Sequence, residues 1–188
     1  MAAARATWRV EQPQWDPQRL VFIDETALNT KMARLYGRSP IGQRCLGRVP
    51  HGHWQTSTFI AALRWDRIEA PFLIEGAANG EVFIAYLTHV LCAELRAGDT
   101  VILDNLSIHK TPAVAKLIAA CGATVRYLPA YSPDLNPIEQ AFAKLKSHLR
   151  SSAARTIGEL HTATASALRS FLPNHCAGFF RHAQYGTN

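Results

Sequence analysis

Leu20-Val21-Phe22-Ile23-Asp24 is a run of four apolar residues closed by a carboxylate, and Thr100-Val101-Ile102-Leu103-Asp104 repeats the pattern far downstream. A β-prone run this short and this apolar suits a strand covered on both faces, as in a parallel sheet between helices. Each of the two strands is predicted to end at its Asp, and the C-terminal ends of such strands are where open α/β sheets place their ligands. Strand-like residues also occupy Thr56 to Leu63, Ile68 to Ile74 and Thr124 to Leu128.

Helical periodicity fills the gaps. Phe83, Leu87, Val90 and Leu91 form one apolar stripe across residues 80 to 96, which Gly98 closes. Thr111 and Pro112 open a second helix with Val114, Leu117, Ile118 and Cys121 inward, and Gly122 stops it. After the turn-rich Pro129 to Asn136, a third helix shows the seam Ile138, Phe142, Leu145 and Leu149. Thr156 with Glu159 is a capping-box signature that starts a last helix running toward Pro173. Residues 1–19, with Trp8, Pro13, Trp15 and Pro17, keep neither period and read as an N-terminal arm or linker, so the domain spans 20–188. The expected architecture is an α/β layer domain with a mixed sheet.

With 48% hydrophobic and 18% charged residues, the 188-residue chain can bury a core and lacks the bias of a disordered protein. Its longest uncharged apolar run, Val82 to Ala93, is far below the roughly 18–20 residues of a membrane helix. Residues 1–20 carry charges and no apolar signal core, which predicts a cytoplasmic protein without membrane partners. Cys45, Cys92, Cys121 and Cys176 are far apart and predict reduced, buried thiols rather than a zinc cluster. Residues 1–104 hold 11 basic and 11 acidic side chains while 105–188 hold 9 and 3, so the net +6 lies in the second half and suits a polyanionic partner.

Asp24 and Asp104 read singly as turn or cap residues, but as a pair, each at the end of a buried strand, they read as ligands for a divalent cation that bridges protein to phosphate. The third acid is Glu139, in Ser132-Pro133-Asp134-Leu135-Asn136-Pro137-Ile138-Glu139. Taken alone, this segment reads as a capping box, with Asn136 as N-cap, Pro137 at N1 and Glu139 at N3.

The combination of motifs changes that reading. Phe22-Ile23-Asp24-Glu25-Thr26, Leu103-Asp104-Asn105-Leu106-Ser107-Ile108-His109-Lys110 and Tyr131 through Glu139 closely resemble the catalytic domain of mariner-type bacterial insertion-sequence transposases, which are DDE enzymes. The 34 residues between Asp104 and Glu139 are similar to the D-D-34-E spacing of that superfamily, and Tyr36 to Arg44 is similar to its segment after the first catalytic strand. The resemblance spans Leu20 to Arg150.

The resemblance implies an RNase H-like three-layer fold with a mixed, mostly five-stranded sheet. Asp24, Asp104 and Glu139 would converge as catalytic residues and metal ligands. Three carboxylates so close repel by about 4 kcal/mol per pair at 4 Å in an effective dielectric near 20, which cations must offset. Two Mg²⁺ or Mn²⁺ ions are implied, both touching Asp24 and one each touching Asp104 and Glu139. The implied reaction is metal-dependent hydrolysis at element ends, then transfer of the freed 3′-hydroxyl to target DNA, commonly at TA. Asn105 and His109 match the family's D-N-x-x-x-H pattern. His109 would orient the attacking group or touch phosphate, or it would merely cap the loop before Thr111. Glu25 points away from Asp24 if the strand continues and is kept outside the metal site. Asp134 is expected to shape its turn.

Double-stranded DNA, as element ends and target, is the implied partner. Lys31, Arg34, Arg38, Arg44 and Arg48 lie in a stretch without acids and would clamp it, with Lys110 in the second motif. Lys146 and Arg150 share a helical face with Glu139 and would follow phosphates. Relatives carry a helix-turn-helix module ahead of this domain, so such a module is expected as a separate or frameshift-fused product. A homodimer in a synaptic complex is compatible with the resemblance. Two other functions stay open: a catalytically silent DNA-binding remnant, and an RNase H-like nuclease acting on hybrids.

Overall fold

In the computed structural model, which describes residues 2–186, the two apolar runs lie side by side. Strand β1 (Leu20–Asn29) pairs in parallel with β4 (Thr100–Leu103), and β4 with β5 (Thr124–Tyr127). On its other side β1 pairs antiparallel with β2 (Thr56–Leu63), and β2 with β3 (Ile68–Glu75), giving the order β3-β2-β1-β4-β5.

Side chains alternate across a strand, and β1 divides two cores in this way. Leu20, Phe22 and Leu28 face α1 (Ala2–Glu11), α4 (Ile138–Ser152), α5 (Ile157–Leu168) and α6 (Pro173–His182), packing with Phe142, Leu145, Leu160 and Phe180. Val21 and Ile23 face α2 (Gly80–Tyr86), the π turn Leu87–Leu91 and α3 (Pro112–Ala120), packing with Phe83, Tyr86, Leu91 and Ile118. Phe22 meets Phe180 and Tyr185 edge-on, at ring-centroid distances of 5.3 and 4.9 Å. Helices therefore cover both faces of a mixed five-stranded sheet. None of the described helices is long and apolar enough to cross a membrane.

Five expectations are corrected. Strand β1 does not end at Asp24: its pairing with β4 stops at Phe22, but β2 continues beside it from Phe22 to Asn29. Residues 2–19 are not a free arm. They form α1 and two short 3-10 turns, Gln12–Gln14 and Pro17–Arg19, docked on the core. Trp8 is buried and donates from Nε1 to Tyr185 Oη at 2.9 Å, and Gln12 Nε2 donates to Ala183 O at 2.6 Å. The partners lie at the other end of the chain, so no local periodicity announces them. The stripe of residues 80 to 96 winds as α2 and then the π turn, and the helix opened at Thr156, α5, is followed by one more, α6. Only Cys176 is a buried thiol; Cys45 is exposed, and Cys92 and Cys121 are half-buried.

At the far end of the sheet from Asp24, Arg64 is buried between the carboxylates of Glu69 and Asp99, with Nη2 2.6 Å from Asp99 Oδ2. The same Nη2 donates to Glu94 O at 3.1 Å, and Asp99 accepts from Arg96 N at 2.8 Å. This network ties β3 to the turn that launches β4.

Candidate active site

The register that sets Phe22 beside Ile102 sets Asp24 abreast of Asp104 when extended by two residues, on neighbouring strands about 4.8 Å apart. Helix α4 packs on the same face of the sheet and presents Glu139, exposed, in its first turn. Asp24, Asp104 and Glu139 line one cleft of about 470 Å³, together with Asn105, Leu106, Tyr131 and Asn136.

Asp24 is buried, and both of its oxygens are used: Oδ1 accepts from Glu25 N and Oδ2 from Asn136 Nδ2, each at 2.8 Å. Loss of water pushes its carboxyl up to about 7; the Glu25 amide works against this, and the charges of Glu139, Glu25 and Asp104 add to it. The capping box read at Asn136 is absent, because its side chain is spent on Asp24 while its main-chain oxygen accepts from Glu139 N at 3.2 Å. The Glu139 carboxylate is thus left to the cleft, without a hydrogen-bond partner among the described residues.

Asp104 is half-buried, and its Oδ1 accepts from Leu106 N at 3.0 Å and pairs with His109 Nδ1 at 2.7 Å. Burial pushes its carboxyl up, but the His109 and Leu106 hydrogen bonds and the charges of His109 and Lys110 outweigh that and hold it below the usual range. His109 does not cap the loop before Thr111. Its ring is wholly buried against Phe83, centroids 4.4 Å apart, and its main-chain oxygen accepts from Tyr127 Oη at 3.0 Å. Burial lowers its proton affinity, yet Asp104 and Glu25 raise it to about 9. The folded value exceeds the ordinary 6.5, so this contribution to stability is full below pH 6.5 and is lost as pH rises through about 9.

The donor set fits a hard divalent cation: three carboxylates border one cleft, and the ionised form of the most buried is disfavoured until positive charge arrives. Among the described residues, however, no three His, Cys, Asp or Glu side chains already close on one point.

Of the other anticipated residues, Asn105 borders the cleft and Lys110 is exposed beside it in sequence. Lys31 sits 4.4 Å over the Trp54 ring, and Arg34 donates from Nε and Nη2 to Ser151 Oγ at the end of α4. That contact brings Arg34 to the end of the helix that carries Lys146 and Arg150. Arg38, Arg44 and Arg48 are exposed in the long loop after β1, and none of these five loop cations borders the cleft. Asp134 does more than shape a turn: it takes Arg5 on both oxygens at 2.8 and 2.7 Å, anchoring α1 beside the cleft. Asn136 and Tyr131, the latter exposed with φ +55°, are cleft residues that the motif reading used only as turn or cap material.

Asp24→Asn is expected to stabilise the metal-free protein at pH 8. The folded carboxyl titrates near 7 against 3.8 ordinarily, so wild-type stability falls as pH climbs from about 4 to 7. At about 1.4 kcal/mol per decade of proton affinity, the removable penalty is capped near ~4 kcal/mol. The new amide can still accept from Glu25 N, and Asn136 Oδ1, buried without a partner, can receive its N–H if the Asn136 amide flips. A gain of about 1–3 kcal/mol in urea unfolding at pH 8, shrinking toward pH 4, is expected; a loss at both pH values would contradict it.

A sequence profile described as DDE superfamily endonuclease matches residues 19–161. No curated protein matches the chain. Among solved structures, the chain is similar to the Mos1 transposase paired-end complex with left transposon end, at 14% identity and TM-score 0.77, covering 97% of this chain and 57% of that one. The Mos1 mariner paired end complex with Mn gives 16% identity and TM-score 0.75, covering 97% and 58%. The catalytic domain of Mos1 mariner transposase gives 14% identity and TM-score 0.71, covering 97% and 86%. The chain thus spans less than two thirds of the transposase chains in those complexes and has the fold of their catalytic domain. With the profile covering most of its length, the chain belongs to the DDE superfamily endonucleases.

Proposed function

We propose that this chain is a transposase catalytic domain that cuts DNA at element ends and joins the freed 3′-hydroxyls to target DNA. The observation that carries the reading is the meeting of Asp24, Asp104 and Glu139 along one cleft, in a chain whose family is that of DDE endonucleases. Asp24, Asp104 and Glu139 would hold Mg²⁺ or Mn²⁺, two ions in the full site. Bound there, the ions supply positive charge to the attacking and leaving oxygens of an in-line phosphodiester displacement.

The chain's own residues prepare that step. Asn136 and the Glu25 amide fix Asp24, and Leu106 and His109 occupy one oxygen of Asp104 so that its other oxygen is available. Asn105 borders the same cleft and is suited to donate to a phosphate oxygen. Lys146, Arg150, Arg34 and Lys31 would guide the duplex backbone, with Arg38, Arg44, Arg48 and Lys110 at its margins.

Double-stranded DNA is the proposed partner, in keeping with the paired-end DNA complexes of the Mos1 structures. A helix-turn-helix module would supply recognition of the ends, and the site of action would be the cytoplasm. A homodimer is part of the proposal, and the loop after β1 leaves Leu35, Tyr36, Ile41 and Leu46 exposed.

The test is nicking of supercoiled plasmid and cleavage of an RNA–DNA hybrid, each with Mn²⁺. Nicking of duplex DNA with the hybrid left intact is expected. Cleavage of the hybrid alone would support the RNase H-like alternative, and salt-sensitive binding without cleavage would support a silent remnant.

A further inference from the structure

Glu25 follows Asp24 in β1 and projects from the opposite face of the sheet, toward the core beneath α2 and α3. That placement keeps it out of the cleft, but it does not isolate it from the cleft. His109 reaches across from the turn Ser107–Lys110, with Nδ1 2.7 Å from Asp104 Oδ1 and Nε2 3.4 Å from Glu25 Oε2. The ring therefore spans two carboxylates, one in the cleft and one behind it.

Two features indicate that this arrangement has a purpose beyond filling space. His109 is fully buried and packed against Phe83 with the two rings tilted by 39°, and its main chain is fixed by Tyr127 Oη, so the ring has little room to swing. His109 Nε2 and Glu25 Oε2 are each buried with no other hydrogen-bond partner, and their separation lies just outside the roughly 2.7–3.2 Å of a hydrogen bond. A buried polar atom without a partner is costly, so each of these atoms is explained only by the other. With a carboxylate facing each nitrogen, the ring is held so that its Nδ1–H donates to Asp104 Oδ1 while its Nε2–H points at Glu25 Oε2. Leu106 N and His109 together then saturate Asp104 Oδ1, and Oδ2 stays free for the cleft.

We propose that Glu25 is a positioning residue that acts through His109 to fix the Asp104 carboxylate. The proposal rests on the reading of Asp24, Asp104 and Glu139 as metal-holding residues. Partners that orient ligating side chains from behind typically change metal affinity or activity by about 10–100-fold when lost.

The experiment pairs Mn²⁺ binding with NMR of the His109 ring in metal-free protein, for wild type, Glu25→Ala, the shape-preserving Glu25→Gln, and the same changes in a His109→Gln background. Glu25→Ala is expected to weaken Mn²⁺ binding about 10-fold and to expose the His109 Nδ1 proton, protected in wild type, to solvent exchange. In the His109→Gln background, the same change should have no further effect on affinity, because its route to Asp104 is already cut. An unchanged His109 Nδ1 proton in both Glu25 variants would overturn the proposal. So would a loss of affinity that persists undiminished without His109, which would mark Glu25 as a remote charge. Failure of the wild type to bind Mn²⁺ would count against the metal-site reading instead, and the ring proton would still decide the role of Glu25.

Discussion

Asp104→Asn and Glu139→Gln are each expected to lower Mn²⁺-dependent nicking of duplex DNA by on the order of 10³-fold or more, about 4 kcal/mol in barrier. Each change removes a negative charge from the cleft while leaving its shape. Glu139 is exposed and its carboxylate braces nothing, so Gln should alter stability by no more than about 0.5 kcal/mol. In Asp104→Asn, the amide that replaces the carboxylate would keep an oxygen for Leu106 N and His109 Nδ1. Loss of nicking with unchanged circular dichroism is therefore the expected result for both, with an unchanged melting temperature for Glu139→Gln and a lowered one for Asp104→Asn, which takes the counter-charge from the buried His109. Had Glu139 been a capping residue, the opposite pattern would follow, with lowered stability and intact nicking.

Arg64→Leu is expected to have the largest effect on stability, a loss of about 3–5 kcal/mol. Arg64 is the shared partner of Glu69 and Asp99, all three are buried, and the guanidinium also donates to Glu94 O. Removing it leaves the buried Asp99 without its ion-pair partner and Glu69 held by Arg67 alone, at 2.8 Å, which costs far more than the intact cluster contributes. At roughly 2–4 °C per kcal/mol for a chain this size, the melting temperature should fall by about 10 °C. The network also holds the turn before β4, the strand that carries Asp104 into place, so activity should fall with the folded fraction. A urea midpoint within the error of wild type would contradict this.

The parts of the fold that are legible in sequence are those with a local physical signature. Val101, Ile102 and Leu103 are buried on both faces, and the run shows it directly as uninterrupted apolar residues. The capping box of Thr156 and Glu159 is equally local and forms as read. What the sequence conceals depends on distant partners. Helix α1 has its buried Trp8 satisfied by Tyr185, 177 positions away, and strand β1 extends past Asp24 only because β2 lies beside it. At the site, the three acids stand out by motif and spacing. Asn136 was hidden because Asn-Pro at a helix start is also ordinary cap chemistry, and its side chain turns instead to Asp24. Glu25 was hidden because alternation along a strand separates neighbours, and only the buried His109 rejoins it to Asp104.

Whether Asp24, Asp104 and Glu139 act together as a cation site is decided by direct Mn²⁺ binding to wild type and Glu139→Gln, followed by electron paramagnetic resonance of free Mn²⁺ at pH 8. Specific binding by wild type and affinity reduced at least about 10-fold in the variant is the predicted result; equal affinity in the two proteins would contradict it.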